Sequence, residues 1–176
     1  MNFLVTGSGG ALRIPNATCQ CATCREARAR GVPFKRLGQS LYLREIAALF
    51  DASEDVNEAI NAYSVARVDL IFITHWHPDH AGGNAALIER HGAIVIGPAE
   101  VERIAPRPDR VVAAGDLVRL GDIEARVLDV SGHTLGHIAF DFRGESVVFV
   151  GDALFALGCG RLFEGDPGMG WDGLAR

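Results

Sequence analysis

The chain has 176 residues, 48% of them hydrophobic, which is the size and apolar content of one domain with a buried core, read here as a single unit over 1–176. Its formal net charge of -5 excludes the basic surface on which phosphate neutralisation depends, so no nucleic acid is expected as a partner. The opening MNFLVTGSGGALRIP has no cationic leader, and Phe3 to Val5 is too short an apolar run for a signal segment or a membrane span; the expectation is a cytoplasmic protein without a membrane partner.

In chain order, Asn2 to Thr6 reads as a first strand. Three of the four cysteines crowd at Cys19, Cys21 and Cys24, a spacing that favours metal binding in a reducing compartment over a disulfide framework. Ser40 to Leu43 and Ile46 to Phe50 read as a hairpin turning at Arg44 and Glu45 and closed by Asp51. Ser53 is the expected N-cap of a helix with Val56, Ala59, Ile60 and Tyr63 on one face. Val68 to Thr74 is a continuous apolar strand, Gly82 to His91 a helix, Ala93 to Ile96 a buried strand, and Glu100 to Ile104 a short helix stopped by Pro106 and Pro108. Leu117 to Leu120, Ile123 to Val130, His137 to Phe142 and Ser146 to Val150 read as strands separated by turns at Gly121, Gly132 and Gly144, with a last helix over Pro167 to Leu174. The mixture predicts packed sheets covered by helices, an α/β sandwich.

The chemistry concentrates in HWHPDH. Alternate residues leaving a strand point the same way, so His75 and His77 can reach one ion together, while Asp79 and His80 lie on the turn beyond Pro78. His133 follows a strand and a Gly turn and would complete a three-histidine set. Asp152 follows a strand and a Gly at a sheet end, where it can bridge two ions about 3.5 to 4 Å apart. Singly, His133 and Asp152 are ordinary turn-side residues, but three histidines and an aspartate in so short a stretch have no packing rationale at a strand end. His91, at a helix C-terminus, and His137, at a strand start, are read as structural.

HWHPDH, SGHTLGH and GDALF resemble the motifs of the metallo-β-lactamase superfamily. That resemblance implies an αββα sandwich with His75, His77 and His133 on one metal, Asp79 and His80 on another, Asp152 shared, and Asp51 as a buried support of the metal loop. From Gly82 onward, AGGNAALIERHGAIVIGP and GDALFALGCGRLFEG are similar to glyoxalase II, the hydroxyacylglutathione hydrolases. There Arg161 aligns with the residue that contacts glutathione, Phe163 stands where some members have Tyr, and Cys159 is expected to pack. The first 80 residues, with GSGGALRIPNATCQCATCREARARG and RLGQSLYL, resemble cyclic phosphodiesterases of the carbon-phosphorus lyase pathway, which implies a structural zinc on Cys19, Cys21 and Cys24 with a fourth ligand not visible here. The two resemblances meet near Asp79 to Asn84, as in a chimera. The glyoxalase family's further ligand His and helical C-terminal domain lie beyond Arg176, so the expected sandwich is C-terminally truncated. One filled site, and an exposed sheet edge open to homodimerisation, follow from that.

The implied function is hydrolysis of a hydroxyacylglutathione-type thioester, a small-molecule substrate, by a metal-bound hydroxide that Asp79 orients. The alternatives are a phosphodiester substrate at the same site, or a chimeric metal-binding protein with little or no activity. Zinc is the expected ion, and histidines with carboxylates also accept iron or manganese.

Overall fold

The structure, a computed structural model, describes residues 1–175. Two sheets lie face to face. The first runs β1 (Phe3–Gly7), β2 (Ser40–Leu43), β3 (Ala48–Phe50), β4 (Leu70–Phe72), β5 (Ile94–Gly97) and β6 (Arg110–Val111) in that spatial order, antiparallel as far as β3 and parallel from β3 to β6. The second is an antiparallel meander of β7 (Leu117–Leu120), β8 (Ile123–Asp129), β9 (Ile138–Phe142) and β10 (Val147–Phe149), ordered β10-β9-β8-β7.

The residue alternation on each strand explains this layering. In β3, β4 and β5, Phe50, Phe72 and Ile96 face the second sheet, while Leu49, Ile71 and Val95 face the helices. Strands buried on both faces need apolar residues at every position, which is why they read as unbroken runs. Between the sheets Phe50 stacks on Phe149 at 3.7 Å and on Phe72 at 4.8 Å, and Phe140 and Phe142 meet them edge-on. Removing a ring such as Phe72, fully buried, would cost about 3–5 kcal/mol. The other core lies against α2 (Val56–Ala62) and α4 (Asn84–His91), through Val56, Ile60 and Leu87. In β8 the pattern thins to Ala125 and Val127 inward with Glu124 and Arg126 exposed. That strand has water on its outer side. α5 (Pro167–Leu174) covers only the end beyond it, where Gly173 approaches the Val130 backbone.

Three local expectations need correcting. Ser53 is not the N-cap of α2: Asp55 holds that position, and Ser53 Oγ donates to the Asp55 carboxylate at 2.6 Å instead. A helix, α1 (Ala22–Arg30), lies in a stretch read only for its cysteines, capped by Cys21 Sγ accepting from Cys24 N–H. Its apolar residues are few, with only Cys24 and Ala27 buried, so it has no hydrophobic stripe to see. The two-residue β6, exposed at both positions, likewise gave no burial pattern.

Candidate metal centre

β4 ends at Phe72; Ile73 N–H still donates to Ile96 O within the first sheet, and the next residue joins the two sheets, Ile138 N–H of β9 donating to Thr74 O. His75 therefore leaves the sheet at the seam between its two halves. It is fully buried. Pro78 opens α3 (Pro78–Ala81), with His77 at its N-cap and Asp79 and His80 inside its single turn. His133 comes from the loop between β8 and β9, and Asp152 from a 3-10 turn (Gly151–Ala153) after β10. The His and Asp residues predicted as ligands all lie at this end.

The ring nitrogens form two groups, His75 with His77 and His133, and His75 with His80 and Asp152, whose donor atoms lie within 4.8 Å of one another. His75 Nε2 is 3.1 Å from His77 Nδ1, which is 2.9 Å from His133 Nε2. The other nitrogens are already committed. Thr74 Oγ1 lies 3.0 Å from Asp51 Oδ2, and as a donor there it must accept from His75 Nδ1 at 3.1 Å. His133 Nδ1 faces Arg161 O at 2.6 Å, and a carbonyl only accepts. Both rings thus carry their proton on Nδ1 and turn a bare Nε2 toward His77. Lone pairs crowded this way repel unless a proton or a cation lies between them, so the donor set fits a divalent ion.

Asp152 spans the two groups, Oδ1 3.3 Å from His80 Nε2 and Oδ2 3.5 Å from His133 Nε2, and Asp79 Oδ2 stands 3.7 Å from His80 Nε2. Asp51, buried and with φ at 57°, accepts from Thr74 N–H at 2.9 Å and from His80 Nδ1 at 2.8 Å. It thereby holds His80 directly, and His75 only through Thr74. Burial alone would lower the His80 pKa, but Asp51 and Asp152 outweigh it and push it up to about 10. Burial, then the neighbouring rings, hold His75 well below the ordinary imidazole value. Burial also lowers His77, with His133 adding to the effect. Asp152 resists the upward push of burial because His80 hydrogen-bonds it, and its pKa falls.

Cys159 departs from expectation, and the other residues bordering the centre are placed by its packing. His137, read as structural, lies with its ring 4.6 Å from His75, and neither of its nitrogens has a partner among the described residues; burial, then His133 and His80, lower its pKa to about 3. A histidine opening a buried strand beside a Gly turn was the available signal. Cys159 does not pack: it is exposed and borders a cavity of about 200 Å³ with His133, Asp152, Leu162 and Trp171. Arg161 contributes its backbone carbonyl to His133, while its guanidinium lies over the Phe163 ring at 5.2 Å and, among the described residues, is in no ion pair. Phe163 walls the site edge-on, 5.4 Å from His77 and 5.3 Å from His133. Gly160 permits this closeness, since a Cβ there would fall 2.2 Å from Asp152 O and 2.9 Å from His133 Nδ1.

A second donor group lies elsewhere. Cys19, Cys21 and Cys24 are free thiols with sulfurs within 4.8 Å of one another. Arg28 braces their loop by donating to Cys19 O and Asn16 O. Backbone N–H donation from Cys24 lowers the Cys21 pKa.

The chain is 58% identical over 106 residues to a hydroxyacylglutathione hydrolase of Erythrobacter litoralis, an alignment that takes in 60% of this chain and 42% of that protein. It thus spans less than half the length of that relative. Among solved structures it is similar to TTHA1623 in a di-iron-bound form, with a TM-score of 0.61, 29% identity, and 79% and 81% of the two chains covered. A diphosphatase of the PhnP family shares the fold at a TM-score of 0.63 and 21% identity, over 80% of this chain and 61% of that one. The metallo-beta-lactamase superfamily model matches residues 41–174, and with the fold and the converging His and Asp side chains this establishes that the chain belongs to the metallo-beta-lactamase superfamily.

Proposed function

We propose that this site hydrolyses a small-molecule thioester of the hydroxyacylglutathione type. The observation that carries the reading is the meeting of His75, His77, His133 and Asp152 from both sheets at one point; the substrate class rests on the 58% identity over 106 residues to the Erythrobacter enzyme. His75, His77 and His133 would hold one ion and Asp79 and His80 a second, with Asp152 between. Zinc suits this donor set, and iron or manganese would be accepted by it. A dication there supplies Lewis acidity, polarising a carbonyl and lowering the pKa of water from about 15.7 to about 7.

The chain's own groups do the rest. Thr74, Asp51 and the Arg161 carbonyl hold the imidazoles in the ligating tautomer. Asp79, partly open to solvent, orients the attacking water. The Arg161 guanidinium, over the Phe163 ring, engages a carboxylate of the thiol half of the substrate. Water adds to the carbonyl, the carbon–sulfur bond breaks, and a carboxylic acid and a thiol leave. The test is release of free thiol from a hydroxyacylglutathione, expected to vanish with a chelator and in His77→Ala; turnover indifferent to both would refute it.

A phosphodiester substrate is the second reading. It is favoured by the thiol cluster, proposed as a structural zinc site of the kind its resemblance implies. Cleavage of an activated aryl phosphodiester without thioester turnover would decide for it. Bound zinc with neither activity would leave a metal-binding protein only.

A further inference from the structure

We infer that Glu100 is a positioning residue that holds the His133 end of the site against the HWHPDH end; the inference rests on the metal-site reading above and adds a group from outside both motifs. Glu100 lies on the 3-10 turn (Ala99–Arg103) that follows β5 of the first sheet, whereas His133 hangs from the second sheet. Its carboxylate reaches across and accepts from Thr134 Oγ1 at 2.6 Å and from Gly136 N–H at 3.0 Å. The first contact is one residue from His133.

The seat is built for this carboxylate. Thr134 is fully buried, so its hydroxyl would have few other acceptors to turn to. At Gly136 any Cβ would strike the Glu100 carboxyl group at 2.6 to 2.7 Å, so the close approach requires glycine. A second carboxylate, Glu164, accepts from Leu135 N–H at 2.8 Å and pairs with Arg103 of the same 3-10 turn. The turn thus grips the loop at Thr134 and Gly136 through Glu100, and at Leu135 indirectly through Glu164, which Arg103 ties down. Hydrogen bonds to an ionised acceptor are about twice as strong as neutral ones, and outer partners of metal ligands commonly set affinity by about ten- to hundredfold. Burial raises the Glu100 pKa even against these two donors. A carboxylate is thus kept half-buried where a neutral residue would be cheaper.

The test compares zinc dissociation constants, measured by competition with a chromophoric chelator, for the whole chain and its Glu100→Ala, Glu100→Gln and Glu102→Gln variants. Glu102, paired with Arg107 on the exposed side of the same turn, is the control. Glu100→Ala should bind zinc about ten- to hundredfold more weakly and shift the ligand-field bands of the cobalt(II) form. Glu100→Gln, which keeps one acceptor oxygen and the shape of the side chain, should fall between; it carries the test if the alanine variant does not fold. Glu102→Gln should match the parent. Parental zinc affinity and cobalt spectrum in both Glu100 variants would overturn the inference. A parent chain that binds no zinc would instead overturn the metal-site reading beneath it.

Discussion

The substitution Asp51→Asn tests the support beneath the metal loop. The Asp51 carboxylate serves two clients: Oδ1 takes Thr74 N–H, and Oδ2 takes His80 Nδ1 at 2.8 Å. Asparagine tolerates the positive φ and preserves the volume, but it has one acceptor oxygen. With that oxygen kept on Thr74, an amide N–H₂ faces the His80 N–H, and a charge-assisted bond worth about 1.5–3 kcal/mol is lost in a buried setting. For a chain of this length that corresponds to a melting point about 3–12 °C lower in the metal-free protein. The pH dependence follows from His80. Its folded pKa, about 10, is above its unfolded value, so the pair stabilises fully below about 6.5 and its contribution is lost as pH rises through about 10. In Asp51→Asn that decline between neutral and alkaline pH should flatten. Zinc affinity at the His80 end should fall about ten- to hundredfold. Calorimetric unfolding of the metal-free protein against pH, paired with a zinc titration, reads both effects. An unchanged melting curve together with unchanged zinc binding would refute the reasoning.

Other predictions separate side chain from backbone and one donor group from the other. Arg161→Ala retains the carbonyl that orients His133, so thioester KM should rise several-fold with zinc binding unchanged; loss of zinc would contradict the division of roles. Gly160→Ala drives a methyl into Asp152 O, and overpacking of about 1–3 kcal/mol should lower both the melting point and zinc occupancy, as seen by thermal unfolding and elemental analysis. Cys19→Ser should reduce the zinc content by one ion per chain while the His–Asp centre stays filled, and an unaltered count would remove the thiol site. In a variant with Cys19, Cys21 and Cys24 all replaced by serine, zinc loading near pH 7 should release about one proton, since His80 must give up its second proton to ligate, and calorimetry in buffers of different ionisation enthalpy measures it.

The parts of the molecule legible in its sequence are those where chemistry and geometry coincide. Strands buried on both faces read as apolar runs, and the donors of HWHPDH just past one of them had no packing reason to be there, so His75, His77, Asp79 and His80 could be named from the residues; His133 and Asp152 gained weight beside them, and Asp51 entered through the resemblance alone. Contacts made by backbone or by residues with ordinary local roles left no such mark. The Arg161 carbonyl belongs to every residue type alike, and Glu100 looks like any acid in a short helix until the opposite sheet brings Thr134 and Gly136 to it. His137 was set aside because a strand start is an ordinary place for a histidine; only the packing of β9 against β4 lays its ring on His75. Ser53 lost its capping role to Asp55 because a hydroxyl beside a buried carboxylate donates to it rather than capping.

The account depends on the meeting of those nitrogens around a cation, and crystals grown with zinc, measured on both sides of the zinc absorption edge, test it most directly. An anomalous peak about 2.0–2.1 Å from His75 Nε2, His77 Nδ1 and His133 Nε2, with Asp152 beside it, is the predicted result. No peak there, or a peak only at the cysteine cluster, would contradict it.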